Sequence, residues 1–184
     1  MSYDGIGTFG AGGGIVKVDE TFIGREPGME VKRAYHHKMK IVALVDRASR
    51  AAKTMVVVDL KAATLALNMD ENVSREARLF ADDAKHYRRI AKRIADHQAV
   101  DYSHGEYVKD DVHTNTIEGF FSIFKRGMKG IYQHCGKNYL HHYATEFEYR
   151  YNNRVAHGVN DTGRAQGILM GAVGKRLTYE PTNL

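Results

Sequence analysis

The residues best suited to chemistry in this chain are three acids in widely separated stretches, Asp19, Asp82 and Glu118. Asp19 lies in an alternating β-rich run, Asp82 ends a short apolar run, and Glu118 lies in a stretch with helical spacing. Carboxylates that converge from different elements repel one another unless a cation neutralises them. Hard oxygen ligands of this kind select Mg2+ or Mn2+ rather than zinc. The three acids therefore indicate a divalent-metal site, which the fold would have to assemble.

The stretch from His113 to Arg126 is predicted to be a helix with a polar side next to an apolar side. An acid held at the rim of a core beside a lysine suits metal-dependent work on phosphates, because the acid holds the cation and the lysine meets a phosphate oxygen. The other interpretation is an ordinary amphipathic helix whose polar side faces water. Gly127 or Gly130 is expected to end this helix. The polar side comprises Asn115, Glu118, Ser122 and Lys125, and the apolar side comprises Ile117, Phe121, Phe124 and Met128.

The first half of the chain is β-rich. Runs at 15–23, 39–45 and 54–58 are joined by short polar links, which favours an antiparallel meander. A helical pattern follows over 62–73, and a short apolar run at 78–81 is predicted to be a buried strand that ends at Asp82.

The second half alternates between types of element. A basic helix is predicted over 87–94 and a strand over 99–102, before the Glu118 helix and a long helix over 137–154. Strands first and alternating units later predict an α/β fold with a mixed sheet and helices on both faces. On the long helix, an aromatic and aliphatic stripe recurs at helical spacing and is expected to be core. The stripe comprises Leu140, Tyr143, Phe147 and Tyr151.

The composition is that of a globular protein with one domain: 184 residues, of which 43% are hydrophobic and 27% are charged. The formal net charge of +5 is compatible with a polyanionic partner without demanding one. Cys135 is the only cysteine, which excludes an internal disulfide and a zinc ribbon and fits a reducing compartment. Because no apolar span is long enough to cross a bilayer, we expect no membrane association and a cytoplasmic, nucleoid-associated protein.

Residues 1–14 are glycine-rich and are expected to form a flexible lead. The segment from Gly5 to Gly10 matches the dinucleotide-binding pattern G-x-G-x-x-G. However, no strand precedes it and a strand rather than a helix follows, so we interpret the match as chance.

Several ordered motifs resemble the catalytic domain of bacterial and archaeal insertion-sequence DDE transposases. The resemblance covers roughly residues 15 to 155, and several motifs at sensible spacing are more specific than any one alone. The matching segments are Val18–Gly24, Ala81–Asp83, His104–Val108, His113–Phe120 with Lys125-Arg126, and Glu146–Arg154.

The resemblance implies an RNase-H-like fold shared with retroviral integrases and an Asp-Asp-Glu site for DNA strand transfer. Carried over by position, Asp19, Asp82 and Glu118 would be the catalytic metal ligands for two Mg2+ (or Mn2+) ions. Asn115, one helical turn before Glu118, remains an alternative ligand or an orienting residue. We favour Glu118 because a carboxylate holds a divalent cation more strongly than a neutral amide does. Lys125 would contact DNA phosphate from the same side of the helix.

Further basic residues are candidates for DNA contact. Arg126 follows Lys125, and the predicted basic helix carries Arg88, Arg89 and Lys92. This run could follow a DNA backbone, although most such runs are solvated faces.

The leading hypothesis is metal-dependent cleavage and strand transfer on double-stranded DNA during transposition of an insertion sequence. We expect residues 15–155 to form the catalytic domain and 156–184 a C-terminal extension, with a homo-oligomer assembled on the DNA. Relatives usually carry a separate N-terminal DNA-binding region, where this chain has a glycine-rich lead, and Ala84 stands where an aromatic residue is usual. The alternatives are a truncated, inactive DNA-binding fragment and an RNase-H-like nuclease or resolvase that only hydrolyses.

Overall fold

Four strands form one sheet in the order β3-β2-β1-β4 in the computed structural model, which describes residues 7–31, 34–81 and 115–175. The strands are β1 (Ile15–Ile23), β2 (Met39–Asp46), β3 (Ala52–Val57) and β4 (Arg78–Ala81). β1, β2 and β3 pair antiparallel, as the meander prediction required, while β4 pairs parallel to β1. Helix α1 (Ala62–Asn72) connects β3 to β4. The mixed sheet confirms the predicted RNase-H-like α/β fold class.

Three helices follow in the last part of the chain: α2 (Asn115–Gly127), α3 (Leu140–Asn152) and α4 (Asp161–Ala172). The α-helical part of the Glu118 stretch ends at Gly127, one of the two predicted positions, and continues as a π-helical turn over Met128–Tyr132. The prediction did not include α4. The predicted helix 87–94 and strand 99–102 lie outside the described residues. No helix in the described ranges is both long and apolar enough to span a bilayer.

The sheet is covered on both faces, because successive side chains of each strand point to opposite sides. Val16 and Val18 of β1 pack with α1 in one core, together with Leu65 and Met69. The second core joins the other face of β1 and β2 to α2 and α3. Its fully buried members include Ile41, Ala43, Phe120, Phe124 and Leu140. The helices therefore lie on both faces of the sheet, as predicted, and the stripe of α3 is core.

Residues 7–14 pack against the α1 side of the molecule, although sequence composition favoured a flexible segment here. Phe9 is 4% exposed, donates its N–H to the carbonyl of Asn72 and accepts from the N–H of Ser74. Gly10 has φ 75°, and a Cβ there would lie 2.3 Å from the Cβ of Ala77. A close approach of two backbones thus explains this glycine without any nucleotide.

Edge strand β3 is held by side chains of α3. The Asn152 amide accepts from the N–H of Ala52 at 2.7 Å and donates to its carbonyl at 2.8 Å. The Glu148 carboxylate accepts from the N–H of Thr54 at 2.7 Å and from its hydroxyl at 2.9 Å. Ala52 and Thr54 are alternate residues, so both present their backbone groups to the open side of the strand. We call these contacts the edge clamp; they replace the missing neighbouring strand.

The Glu148 carboxyl is 3% exposed, so the clamp contains a buried acid. Burial raises its pKa above the ordinary value, while the Lys53 ammonium, 3.6 Å away, and the Thr54 hydrogen bonds oppose the increase. Removing the Lys53 ammonium would leave the buried Glu148 carboxylate without its ion-pair partner.

Asn152→Ala should lower the free energy of unfolding by about 2–6 kcal/mol, because two buried groups of Ala52 each lose a partner at about 1–3 kcal/mol. Urea denaturation followed by circular dichroism measures this change. The matched control is Asn153→Ala, since that amide donates only to the Tyr149 carbonyl within its own helix. Equal losses in the two variants would contradict the clamp.

Glu148→Gln tests the buried charge through its pH dependence. The raised pKa of Glu148 means that the folded protein disfavours the ionised form, so its contribution to stability is greatest below the ordinary value of 4.5 and declines as pH rises through the folded pKa. The wild type should therefore lose stability relative to Glu148→Gln between acid and neutral pH, as measured by urea unfolding at several pH values. A difference independent of pH would contradict the assignment.

Candidate active site

Asp19 is held on the central part of the sheet by its place in β1. It pairs with Ala43 of β2 and is half-buried. Because alternate residues of a strand share a face, Asp19 lies on the same side as Ile23, which packs in the core beneath α2. One carboxylate oxygen of Asp19 accepts from the N–H of Glu20 at 2.8 Å. The acid therefore lies on the sheet face that α2 covers.

Glu118 lies in the first turn of α2 and is exposed, at the rim of the second core. The predicted apolar strip is buried, with Phe121 at 4% and Phe124 at 1% exposure, and Phe120 joins it. Ser122 and Lys125 are exposed, so the two predicted sides of the helix are confirmed. The packing of three phenylalanines fixes which way Glu118 points.

Lys17 shares the face of β1 that carries Asp19 and interacts electrostatically with Glu118. It stands two residues before Asp19 on the same face of β1 and is half-buried. Burial and the nearby Arg47 lower the pKa of the Lys17 amine, while the Glu118 carboxylate opposes that shift. Glu118 therefore acts on the strand face that carries Asp19. Sequence reasoning missed Lys17, although the two-residue spacing from Asp19 was the signal that could have found it.

The second predicted acid, Asp82, lies outside the described residues, as do Arg88, Arg89 and Lys92. The end of β4 is described: Ala81 pairs with Val18 in the parallel ladder. The residue before Asp82 in the chain is thus the partner of the residue before Asp19.

Asn115 is the first residue of α2, three positions before Glu118. Its backbone therefore starts the helix that carries Glu118, within one turn of it.

The predicted phosphate contact, Lys125, lies beside a cleft of about 470 Å3, which we call the basic cleft. Its Nζ lies 5.9 Å from the centre of the Phe121 ring, within range of a cation–π contact. Arg126 is exposed on the neighbouring position. The cleft is lined by Phe22, Ile23, Gly24, Lys38, Lys125, Met128, Lys129, Gln133 and Cys135.

The donor set fits a hard divalent cation in its chemistry. Asp19 and Glu118 offer carboxylate oxygens, which suit Mg2+ or Mn2+. Over residues 7–31, 34–81 and 115–175, no three or more His, Cys, Asp or Glu side chains group into a metal site. The predicted set has one member, Asp82, beyond those ranges.

The strand order, the helices on both faces and an acid on the central strand define a protein of the RNase-H-like class. Comparison with family models then places the chain: residues 12–152 match the ISXO2-like transposase domain, and the chain belongs to that family. No curated protein sequence matches significantly.

Three retroviral structures are among the solved structures similar to the chain. The catalytic core domain of BIV integrase shares 12% identity and a TM-score of 0.47, over 76% of this chain and 83% of that one. The HTLV-2 integrase catalytic core domain in complex with magnesium shares 12% identity and a TM-score of 0.43, over 83% and 94%. A simian T-cell lymphotropic virus intasome in complex with the PP2A regulatory subunit B56 gamma shares 9% identity and a TM-score of 0.44, over 74% of this chain and 47% of that one. The strand order and helix placement, rather than these likenesses, define the fold.

Gly127→Ala should displace α2, because a Cβ at Gly127 would lie 2.1 Å from Cζ of Phe147. We expect a loss of about 1–3 kcal/mol in the free energy of unfolding, the usual cost of overpacking. Gly130→Ala is the matched control, since a Cβ there meets nothing within 4 Å. Thermal unfolding measures both variants, and a Gly127→Ala protein as stable as the control would contradict the close packing.

Proposed function

We propose that this chain is the catalytic domain of a transposase that cleaves DNA and transfers strands during transposition of an insertion sequence. The observation that carries the proposal is that Asp19 and Glu118 lie on the same side of the sheet. The chain that carries them belongs to the ISXO2-like transposase domain family. The pairing of Ala81 with Val18 adds support, because Asp82 follows Ala81 directly.

In this proposal Asp19, Asp82 and Glu118 hold two Mg2+ (or Mn2+) ions, with Asn115 as the alternative third ligand. When bound, such ions supply an activated water and stabilise charge on the attacking and leaving oxygens of an in-line displacement. The rigid sheet and the phenylalanine seam of α2 fix the acids in place before DNA arrives. In phosphoryl transfer, groups that are positioned in advance lower the activation barrier more than most other contributions do.

Lys17 has a positioning role in this proposal. Its ammonium lies on the acid-bearing face of β1 and attracts the Glu118 carboxylate. A cation there reduces repulsion between the acids while no metal is bound.

The proposed substrate is double-stranded DNA. Lys125 stands seven residues after Glu118 on α2, about 10 Å further along the helix, and is exposed to contact a phosphate. Arg126 and the basic residues Arg88, Arg89 and Lys92 are further candidates for phosphate contact. Strand transfer of an element needs both ends held together, so we propose a homo-oligomer on DNA.

Asp19→Asn and Glu118→Gln should each reduce cleavage and joining by more than about 100-fold, since even residues that only support metal ligands are worth about 10–100-fold. The assay incubates a labelled duplex from the DNA flanking the gene with a supercoiled plasmid in Mg2+ and counts nicked and joined products. Glu20→Gln is the matched control, because its side chain points to the opposite face of β1. Nicked products without joined ones would show that the protein hydrolyses DNA but does not transfer strands.

The same assay identifies the third ligand with cysteine variants. A thiolate is a poor ligand for Mg2+ and a better one for Mn2+, so a true ligand changed to cysteine should be inactive in Mg2+ and partly rescued by Mn2+. We expect rescue of Glu118→Cys and no such metal dependence in Asn115→Cys. The reverse pattern would transfer the ligand role to Asn115.

A further inference from the structure

The basic cleft carries three lysines from two distant parts of the chain. Lys38 precedes β2, Lys125 lies in the last turn of α2, and Lys129 lies in the π-helical turn that follows. Their convergence depends on the tertiary fold, because Lys38 is far from the other two in sequence. Phe22 and Ile23, at the end of β1, form the cleft's apolar wall.

One acid close to Lys38 in the fold is Glu26, whose backbone N–H donates to the carbonyl of His37. The Glu26 carboxylate pairs with the Lys40 ammonium at 3.6 Å and also with Lys137. Across the described ranges, by contrast, Lys38, Lys125 and Lys129 form no ion pair with a carboxylate. Like charges that converge without acidic partners repel one another, which an anion in the cleft would relieve.

The cleft stands in a definite relation to the acids. Glu118 lies in the first turn of α2, whereas Lys125 lies in the last turn and lines the cleft together with Ile23 at the end of β1. Lys125 lies about 10 Å from Glu118 along α2, so the cleft would lie within a few nucleotides of the acids on a bound DNA strand.

We propose that the basic cleft binds the DNA backbone within a few nucleotides of the reacting phosphate, with Lys38 and Lys129 as contacts beyond Lys125. The proposal rests on the proposed function, because it is DNA held for cleavage that would reach the cleft. The lysines would contact phosphates rather than base edges, so they would position the DNA strand without selecting its base sequence.

Cys135 gives this proposal a direct test. It is the only cysteine of the chain, it is half-buried, and it lines the cleft. A strand in the cleft would cover its Sγ. A maleimide therefore reports occupancy of this one place, under conditions in which no cleavage occurs.

The experiment measures the rate of maleimide labelling of Cys135 in EDTA with increasing concentrations of a duplex from the DNA flanking the gene, while fluorescence anisotropy follows binding of the same duplex. At a DNA concentration ten times the Kd, labelling should slow by about tenfold, since only the free protein exposes the thiol. Lys38→Gln with Lys129→Gln should weaken binding and reduce the slope of log K against log salt by about two.

Lys61→Gln is the control for loss of one lysine charge outside the cleft, and the single variants Lys38→Gln and Lys129→Gln are compared with it. Lys61 is highly exposed beside α1 and lies outside the cleft, so its loss should leave protection of Cys135 and the salt slope nearly unchanged. Bound DNA that leaves the labelling rate unaltered would overturn the proposal, as would a cleft double variant that behaves like Lys61→Gln. Absence of any DNA binding would overturn it too.

The outcomes separate this proposal from the proposed function. If DNA protects Cys135 but the protein has no cleavage activity in Mg2+, DNA binding in the cleft is supported and the proposed catalytic function is contradicted. If the protein cleaves and joins DNA while Cys135 stays unprotected, the proposed catalytic function is supported and DNA binding in the cleft is contradicted.

Discussion

The structure depends on β1, a strand with a helical layer on each face and a neighbour on each edge. Its even-numbered valines belong to the core under α1, and its odd-numbered residues face α2 and α3. A charged carboxylate on such a strand is expensive unless it lies where the covering layer opens. Asp19 is half-buried at such a place, so the element that organises the core also presents the acid.

Local patterns predicted much of this architecture. The alternation of β1 and the short apolar run of β4 gave the bounds of both strands, because burial on the sheet is a period-two property. The helical spacing of the phenylalanines predicted the buried side of α2, because burial on a helix has a period of 3.6 residues. By contrast, α4 buries no residue and carries exposed Ile168, Leu169 and Met170, so it has no apolar stripe that a sequence could reveal.

Features that arise from distant contacts could not be read from the chain. β3 begins at Ala52, two residues before the predicted run, because Asn152 binds the Ala52 backbone from a hundred positions away. Phe9 anchors a glycine-rich segment whose composition favoured flexibility, since one buried aromatic offsets much conformational entropy. The basic cleft also arises from distant contacts. Among the described residues of the candidate site, the sequence named Asp19, Asn115, Glu118, Lys125 and Arg126 in advance but neither Lys17 nor the other cleft lysines.

The edge clamp also bears on how copies of this chain could associate. An open edge strand is a template onto which another chain can add a strand by backbone pairing. Here α3 already occupies the donors and acceptors of Ala52 and the N–H of Thr54. Sheet continuation from one subunit into the next is therefore blocked along this part of β3. Subunits that gather on a nucleic acid would have to meet through other surfaces, and this protection also guards the protein against fibrous polymerisation.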